Sequence, residues 1–247
     1  MLSRPRLIPL GLCVLLLPAL AHAQSVAIDL GAAGQAGATA RIVQLIALIT
    51  MLSLAPSLLV MVTAFTRIVI VLSLLRGALS TQGTPPNTVL IGLALFLSFF
   101  VMEPVLNQAW TAGIQPMTQG EISEIDGLKR AAEPFHTFMM STTRTSDLAF
   151  FTDLGHVEPA AIPADTTWRV LIPAFMVSEL RRAFEIGFLL YLPFLIIDIV
   201  VASILMSLGM MMLPPSAVSL PVKLLFFVLI DGWRLVAGSL VQSFPTS

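Results

Sequence analysis

The sequence predicts an all-α, membrane-associated protein in which two long apolar helical hairpins flank a more polar helical segment. Three observations lead there. Of the 247 residues, 57% are hydrophobic and only 11% charged, with a mean hydropathy of +0.93; a soluble domain carries about a quarter charged residues. The apolar residues come in four long blocks broken by prolines and turn residues rather than in short alternating runs. Between Pro173 and Trp233 these blocks also carry isolated charges, Glu185, Asp198, Lys223 and Asp231. An ionised side chain facing lipid is costly, so such charges face other helices or a wet path. The pattern speaks of passage across a membrane rather than chemistry on a substrate.

Residues 1–23 read as a cleavable signal peptide. Arg4 and Arg6 form a basic start, Leu7 to Leu20 an apolar core, and Ala21-His22-Ala23 a small-x-small site, so cleavage falls between Ala23 and Gln24. The alternative is a retained first helix, but the apolar core is shorter than the roughly 20 residues a span needs. The sole cysteine, Cys13, leaves with this segment, and disulfide or thiolate chemistry leaves with it. Residues 24–41 are Gly- and Ala-rich without apolar periodicity and read as a loose lead-in.

The first hairpin spans 42–106. Its first block, Ile42 to Leu75, would be about 50 Å long as one helix against a hydrocarbon core of about 30 Å. It is therefore expected to kink near Pro56 or to extend beyond the bilayer. Arg76-Gly77 and Thr81 to Pro86 form the turn, with Thr84 set to cap a helix whose first residue is Pro85. The second block, Thr88 to Leu106, is expected to end at Glu103-Pro104. The polar segment covers 107–182. Thr118-Gln119-Gly120-Glu121 reads as a capping box, and Glu133-Pro134 as the start of a further short helix with Phe135, Phe138 and Met139 on one side. With the amino terminus exported, two crossings return this segment to the periplasmic side. The second hairpin, 183–247, pairs Phe184 to Leu213 with Val218 to Val241 across Pro214-Pro215.

Reactive chemistry is not in view. The mature chain has two histidines, His136 and His156, without a second ligand at zinc spacing, and lacks nucleophile-elbow, H-E-x-x-H and phosphate-loop motifs. His156 near Asp153 and Glu158 reads as a solvated loop. No cofactor, metal or enzymatic activity is expected, and a net charge of −1 argues against nucleic acid. Arg181 and Glu185 are four apart and can pair along a helix. Asp198, Lys223, Asp231 and Arg234 read as ion pairs between packed helices, with a proton or ion path as the sharper alternative. Met206 and Met210 to Met212 put four thioethers within seven residues at a helix end. Methionine fills irregular gaps, but a run at a turn also suits a deformable surface touching something variable.

Several segments resemble the FliP family of flagellar type III export-gate proteins. The stretch Pro173-Ala-Phe-Met-Val-Ser-Glu-Leu-Arg-Arg-Ala-Phe-Glu-Ile-Gly187 is similar to its first signature and Pro221-Val-Lys-Leu-Leu-Phe-Phe-Val-Leu-Ile-Asp-Gly-Trp233 to its second. Leu59 to Arg67 and the Met-Met-Met-Leu-Pro-Pro turn fit the same family, and the likeness runs from about Ile42 to Trp233. The resemblance implies a multi-pass inner-membrane protein of the flagellar basal body that assembles with copies of itself, a pentamer by family analogy, into a ring-like gate. FliR and FliQ are the implied partners, FlhB and FlhA further ones, and unfolded rod, hook and filament subunits the cargo. It also implies that the hairpins form a tilted cone largely on the periplasmic side, so four apolar blocks need not be four lipid spans. Met210, Met211 and Met212 would then be the pore gasket. Arg67, Glu179, Arg181, Arg182, Glu185, Asp198, Lys223 and Asp231 would be subunit-interface charges. The competing readings are a virulence injectisome gate subunit, a solute transporter or ion channel using Asp198 and Lys223, and a structural scaffold.

Overall fold

A computed structural model of the chain describes residues 43, 45–47, 49, 50, 53, 54, 57 and 60–245, apart from 82, 159–161, 163, 164 and 211. The expected signal segment with its Ala23–Gln24 junction, the lead-in 24–41, Pro56 and Met211 lie outside the described residues. The chain divides into two units, Met1–Leu52 and Ser53–Ser247. In the first, every described residue is helical. The second is also helical, with no strand among its described residues.

The first apolar block breaks at Val62–Ala64, where the backbone turns before α1 (Phe65–Ala78) begins. Threonines cause the break. The Thr66 hydroxyl donates to the Val60 carbonyl at 3.2 Å, and the Thr63 hydroxyl accepts from Phe65 N–H at 3.4 Å. Such side-chain bonds compete with the helical ladder. On α1, Ile68, Val71, Leu72 and Leu75 are buried at helical spacing. The loop after it is closed by Arg76, whose Nη1 donates to Pro85 O at 3.2 Å and Asn87 Oδ1 at 2.6 Å. Thr84 does not cap the next helix; its carbonyl accepts from Thr81 Oγ1, and Pro86 holds the cap position of α2 (Asn87–Ala109).

Helix α2 does not stop at Glu103-Pro104. It passes through Pro104, enters a π turn (Trp110–Ile114) and continues as α3 (Gln115–Thr118), giving an apolar run of 32 residues. Proline deletes one internal hydrogen bond, and the turn where the helix widens follows shortly after. At Gly113 a Cβ would lie 2.5 Å from Gly127 O and Ala131 N, so only glycine lets this turn press on α4 (Glu124–Thr142). The cap of α4 is Ser123, five residues beyond the expected Thr118: its Oγ accepts from Asp126 N–H at 3.2 Å and donates to Asp126 Oδ2 at 2.7 Å. Thr118 instead closes α3, donating to Gln115 O at 2.8 Å. Helix α4 runs on through Pro134 rather than restarting there, and buries Phe138 and Met139. A short α5 (Thr145–Leu154) follows.

The longest element is α6 (Trp168–Ser207), 40 residues through Pro173 and Pro193, or about 60 Å at 1.5 Å per residue. It runs unbroken past residues 182 and 183. Gly187 permits its close approach to α1, since a Cβ there would lie 2.3 Å from Leu74 Cδ1. The last apolar block is two helices, α7 (Pro215–Leu229) and α8 (Gly232–Gln242), bent by 64°. Asp231 makes the corner in the left-handed region, φ 52° and ψ 51°, a conformation that aspartate tolerates better than most residues. Among the described residues, two helical runs, Asn87–Thr118 and Trp168–Ser207, are long and apolar enough to cross a membrane, with the bent pair as a third candidate. The core lies where α1, α4, α6 and α8 meet, around Ile68, Met139, Leu171, Phe175 and Leu240. Each side chain buried there contributes about 1.5–3 kcal/mol.

Candidate functional site

Two buried ionic clamps organise the helices. The first centres on Arg67 of α1. Its Nε donates to Glu179 Oε2 at 2.7 Å and its Nη2 to Oε1 at 2.5 Å, a two-pronged pairing with α6. Its Nη1 donates to the Ser243 carbonyl at 2.8 Å and hydroxyl at 3.0 Å, beyond the end of α8. The guanidinium lies 3.8 Å from the centre of the Phe244 ring. The planar fork of arginine can meet a carboxylate edge-on while stacking on an aromatic face, which lysine cannot do. Arg67 is 2% exposed and Glu179 fully buried, so each charge is sustained only by these partners.

The second clamp is Lys223 of α7, 1% exposed. Its Nζ donates to Asp198 Oδ2 of α6 at 2.7 Å, to Ala78 O at 3.0 Å and to Ser80 Oγ at 3.1 Å. All three ammonium donors are thus satisfied. Ala78 is the last residue of α1, so the cation also sits at that helix's negative end. Ser80, at φ 57°, turns its hydroxyl onto the amine as the chain leaves α1. A third pin, a hydroxyl rather than an ion pair, ties α5 to α6: Ser178 Oγ donates to Asp147 Oδ2 at 2.6 Å and accepts from Arg144 N–H at 3.1 Å.

The methionine turn contrasts with these clamps. Helix α6 ends in a Schellman cap: Gly209, at φ 70°, donates to Met206 O at 3.1 Å and Met210 donates to Leu205 O at 2.9 Å. Pro214 and Pro215 then start α7, with Pro215 at its first position. Between the two helices Met212 is fully exposed and Met210 is 43% exposed. Thioethers are held out from the chain on a rigid frame. Elsewhere the surface also carries exposed apolar residues, including Phe96 and Phe100 on α2, Phe188 and Ile196 on α6, and Val228 and Leu229 on α7.

Of the eight charges expected at subunit contacts, the structure buries Arg67, Glu179 and Lys223 inside the chain itself. Asp198 joins Lys223 but keeps 35% of its side chain open. Arg181 and Arg182 pair with Glu185 on the surface, at 3.2 and 3.5 Å. Asp231 makes the corner between α7 and α8, and neither it nor Arg234 is in an ion pair among the described residues. The sequence reading did not reach Ser243, Phe244, Asp147, Ser178 or Ser80. Ser178 lies inside a quoted signature and carried a signal; the others become partners only through contacts 31 to 177 residues apart. His156 sits at φ 48° in the turn after α5, its N–H donating to Asp153 O at 3.0 Å. Among the described residues no three His, Cys, Asp or Glu side chains converge as a metal site.

Ionic groups used to hold helices together, around apolar helices of spanning length, define a membrane-associated helical protein. The FliP family profile matches residues 48–240, and the chain belongs to the FliP family. A flagellar biosynthetic protein FliP of Caulobacter vibrioides is 54% identical over 229 residues, covering 93% of this chain and 86% of that one. The Agrobacterium fabrum protein of the same name is 50% identical, covering 94% and 96%. The Bacillus subtilis one is 50% identical over 82% of this chain and 91% of its own. The family is a flagellar export component and is not known for catalysis.

Proposed function

We propose that this chain is a pore-forming subunit of the flagellar type III export gate in the bacterial inner membrane, with much of the assembly on the periplasmic side. It passes unfolded rod, hook and filament subunits as a ring of several copies, together with FliR and FliQ and in reach of FlhB and FlhA. Membership of the FliP family over 48–240 carries this reading, and the flagellar names of the relatives favour it over the injectisome alternative. The proposed layout keeps residues 1–23 as signal peptide, 24–41 as lead-in, 42–106 and 183–247 as hairpins and 107–182 as the periplasmic segment.

The geometry supports a division of labour. Clamps of 2.5–3.1 Å hold α1, α6, α7 and the end of α8 in a fixed frame. On that frame Met210, Met211 and Met212 act as the gasket. A secreted chain changes width at every residue, so flexible thioethers that yield and reclose suit the constriction better than stiff side chains. An apolar constriction also opposes ion flow by dewetting. The test is complementation: in a flagellated host lacking its own copy, this chain restores flagellin in the medium and co-purifies with the FliR and FliQ partners. A correctly inserted, partner-bound chain that restores no secretion would reduce it to a scaffold. Solute uptake by vesicles holding this chain alone would favour a transporter.

A further inference from the structure

Along α5 and the first half of α6, charge is segregated. At one end Arg144, Arg182 and Glu185 line a polar basin of about 240 Å³, with Arg181 beside it. Three guanidiniums there face two carboxylates, Glu185 and Asp147, and Asp147 is half-buried and held by Ser178. At the other end a groove of about 480 Å³ lies between α5 and the start of α6. Its lining includes Met140, Leu148 and Val170, and its rim carries Asp153, Glu158 and Asp165. All three acids are exposed, and none is in an ion pair among the described residues.

This arrangement opposes local electrostatics. Arg144 holds the cap position of α5, where the helix dipole favours an acid, and Asp153 sits in the last turn, where it favours a base. Asp147 in the first turn offsets Arg144, but nothing within α5 offsets Asp153 and no basic residue follows it in the last turn, so a complementary surface would reward that placement. Val170 and Arg182 are twelve residues apart on one helix, about 18 Å, so one chain cannot fold its own basin onto its own groove.

We infer that the arginine basin of one copy docks on the acid-rimmed groove of the next. The contact joins two different surfaces and is therefore head-to-tail, the kind that closes into a ring when the rotation between copies allows. The inference rests on the homo-oligomeric reading above and names the surfaces that carry it.

Two differently tagged copies of the full chain, one with Arg182→Cys and one with Asp153→Cys, are co-expressed and mildly oxidised, and oligomer mass is measured in parallel. Residues whose Cα atoms stand more than about 7 Å apart do not bridge, so the mixed disulfide should exceed either single-variant product at least about tenfold. Adding Glu158→Arg to the Asp153→Cys copy should weaken the mixed product, and Arg144→Glu on the other copy should restore it. A normal oligomer without the mixed disulfide, or one linking like sites only, overturns the proposed surface and leaves the ring reading standing. A monomer by mass overturns both.

Discussion

Replacing Glu179 by alanine isolates what the first clamp is worth. The substitution removes the acceptor of two Arg67 hydrogen bonds, at 2.7 and 2.5 Å, and leaves a guanidinium only 2% exposed. Ser243 and Phe244 still hold Nη1 and the ring face, but neither carries the counter-charge. Breaking a buried pair from one side costs about 3–5 kcal/mol. For a chain of this size each kcal/mol is roughly 2–4 °C, so the melting temperature should fall by about 6–20 °C. The assay is thermal unfolding of the detergent-solubilised protein, followed by the fluorescence of Trp110, Trp168 and Trp233. The double variant Arg67→Met with Glu179→Leu removes both charges at similar volume and should recover most of the loss. A single-variant loss under about 1 kcal/mol, the range of exposed pairs, would refute the reasoning. So would a double variant no better than the single.

Lys223→Met should destabilise by about 1–3 kcal/mol in the same assay, because Ala78 O and Ser80 lose a donor. The loss is smaller than at Glu179, since Asp198 already reaches water. Intact mass of the purified complex should show a chain beginning at Gln24; one beginning at Met1 would mean a retained first helix. Changing Met210, Met211 and Met212 together to alanine should make the assembled gate leak ions while secretion persists, with leucine milder. Unchanged conductance in patch-clamp recordings, with the complex present, would reduce the run to ordinary packing.

The sequence made the all-helical class, the proline turn at 214–215 and the Arg181–Glu185 pairing legible, because each depends on neighbours within a turn or two of helix. Boundaries were less so. Pro104 and Pro134 look like stops, yet both lie inside helices that tertiary contacts hold through them. The capping box at Thr118 matched its pattern, but Ser123 with Asp126 satisfied the same rule five residues later, after a π turn no local pattern announces. The family likeness pointed to Arg67, Glu179, Asp198 and Lys223 as interface charges. A sequence cannot tell whether a lone charge in an apolar helix meets its partner in the same chain or in a neighbour. Here Arg67 and Lys223 meet theirs at home.

That location changes what the charges can do. An ion pair shared between subunits would weaken whenever a ring flexed around a passing chain. A pair closed within one subunit keeps its geometry while neighbours shift. The buried clamps therefore suit a rigid subunit, and in the proposed gate deformation would be left to what they do not touch: the methionine turn, capped by Gly209 and fixed at its far side by two prolines. In the proposed ring, polar contact between copies would fall instead to exposed groups such as Arg144, Arg182 and the acids around the groove. Water screens those groups, so their pairing can loosen and reform without leaving a buried charge unpaired. Stability and adaptability are in this way assigned to different residues of the same long helix, with Glu179 facing inward and Arg182, three positions later, facing out.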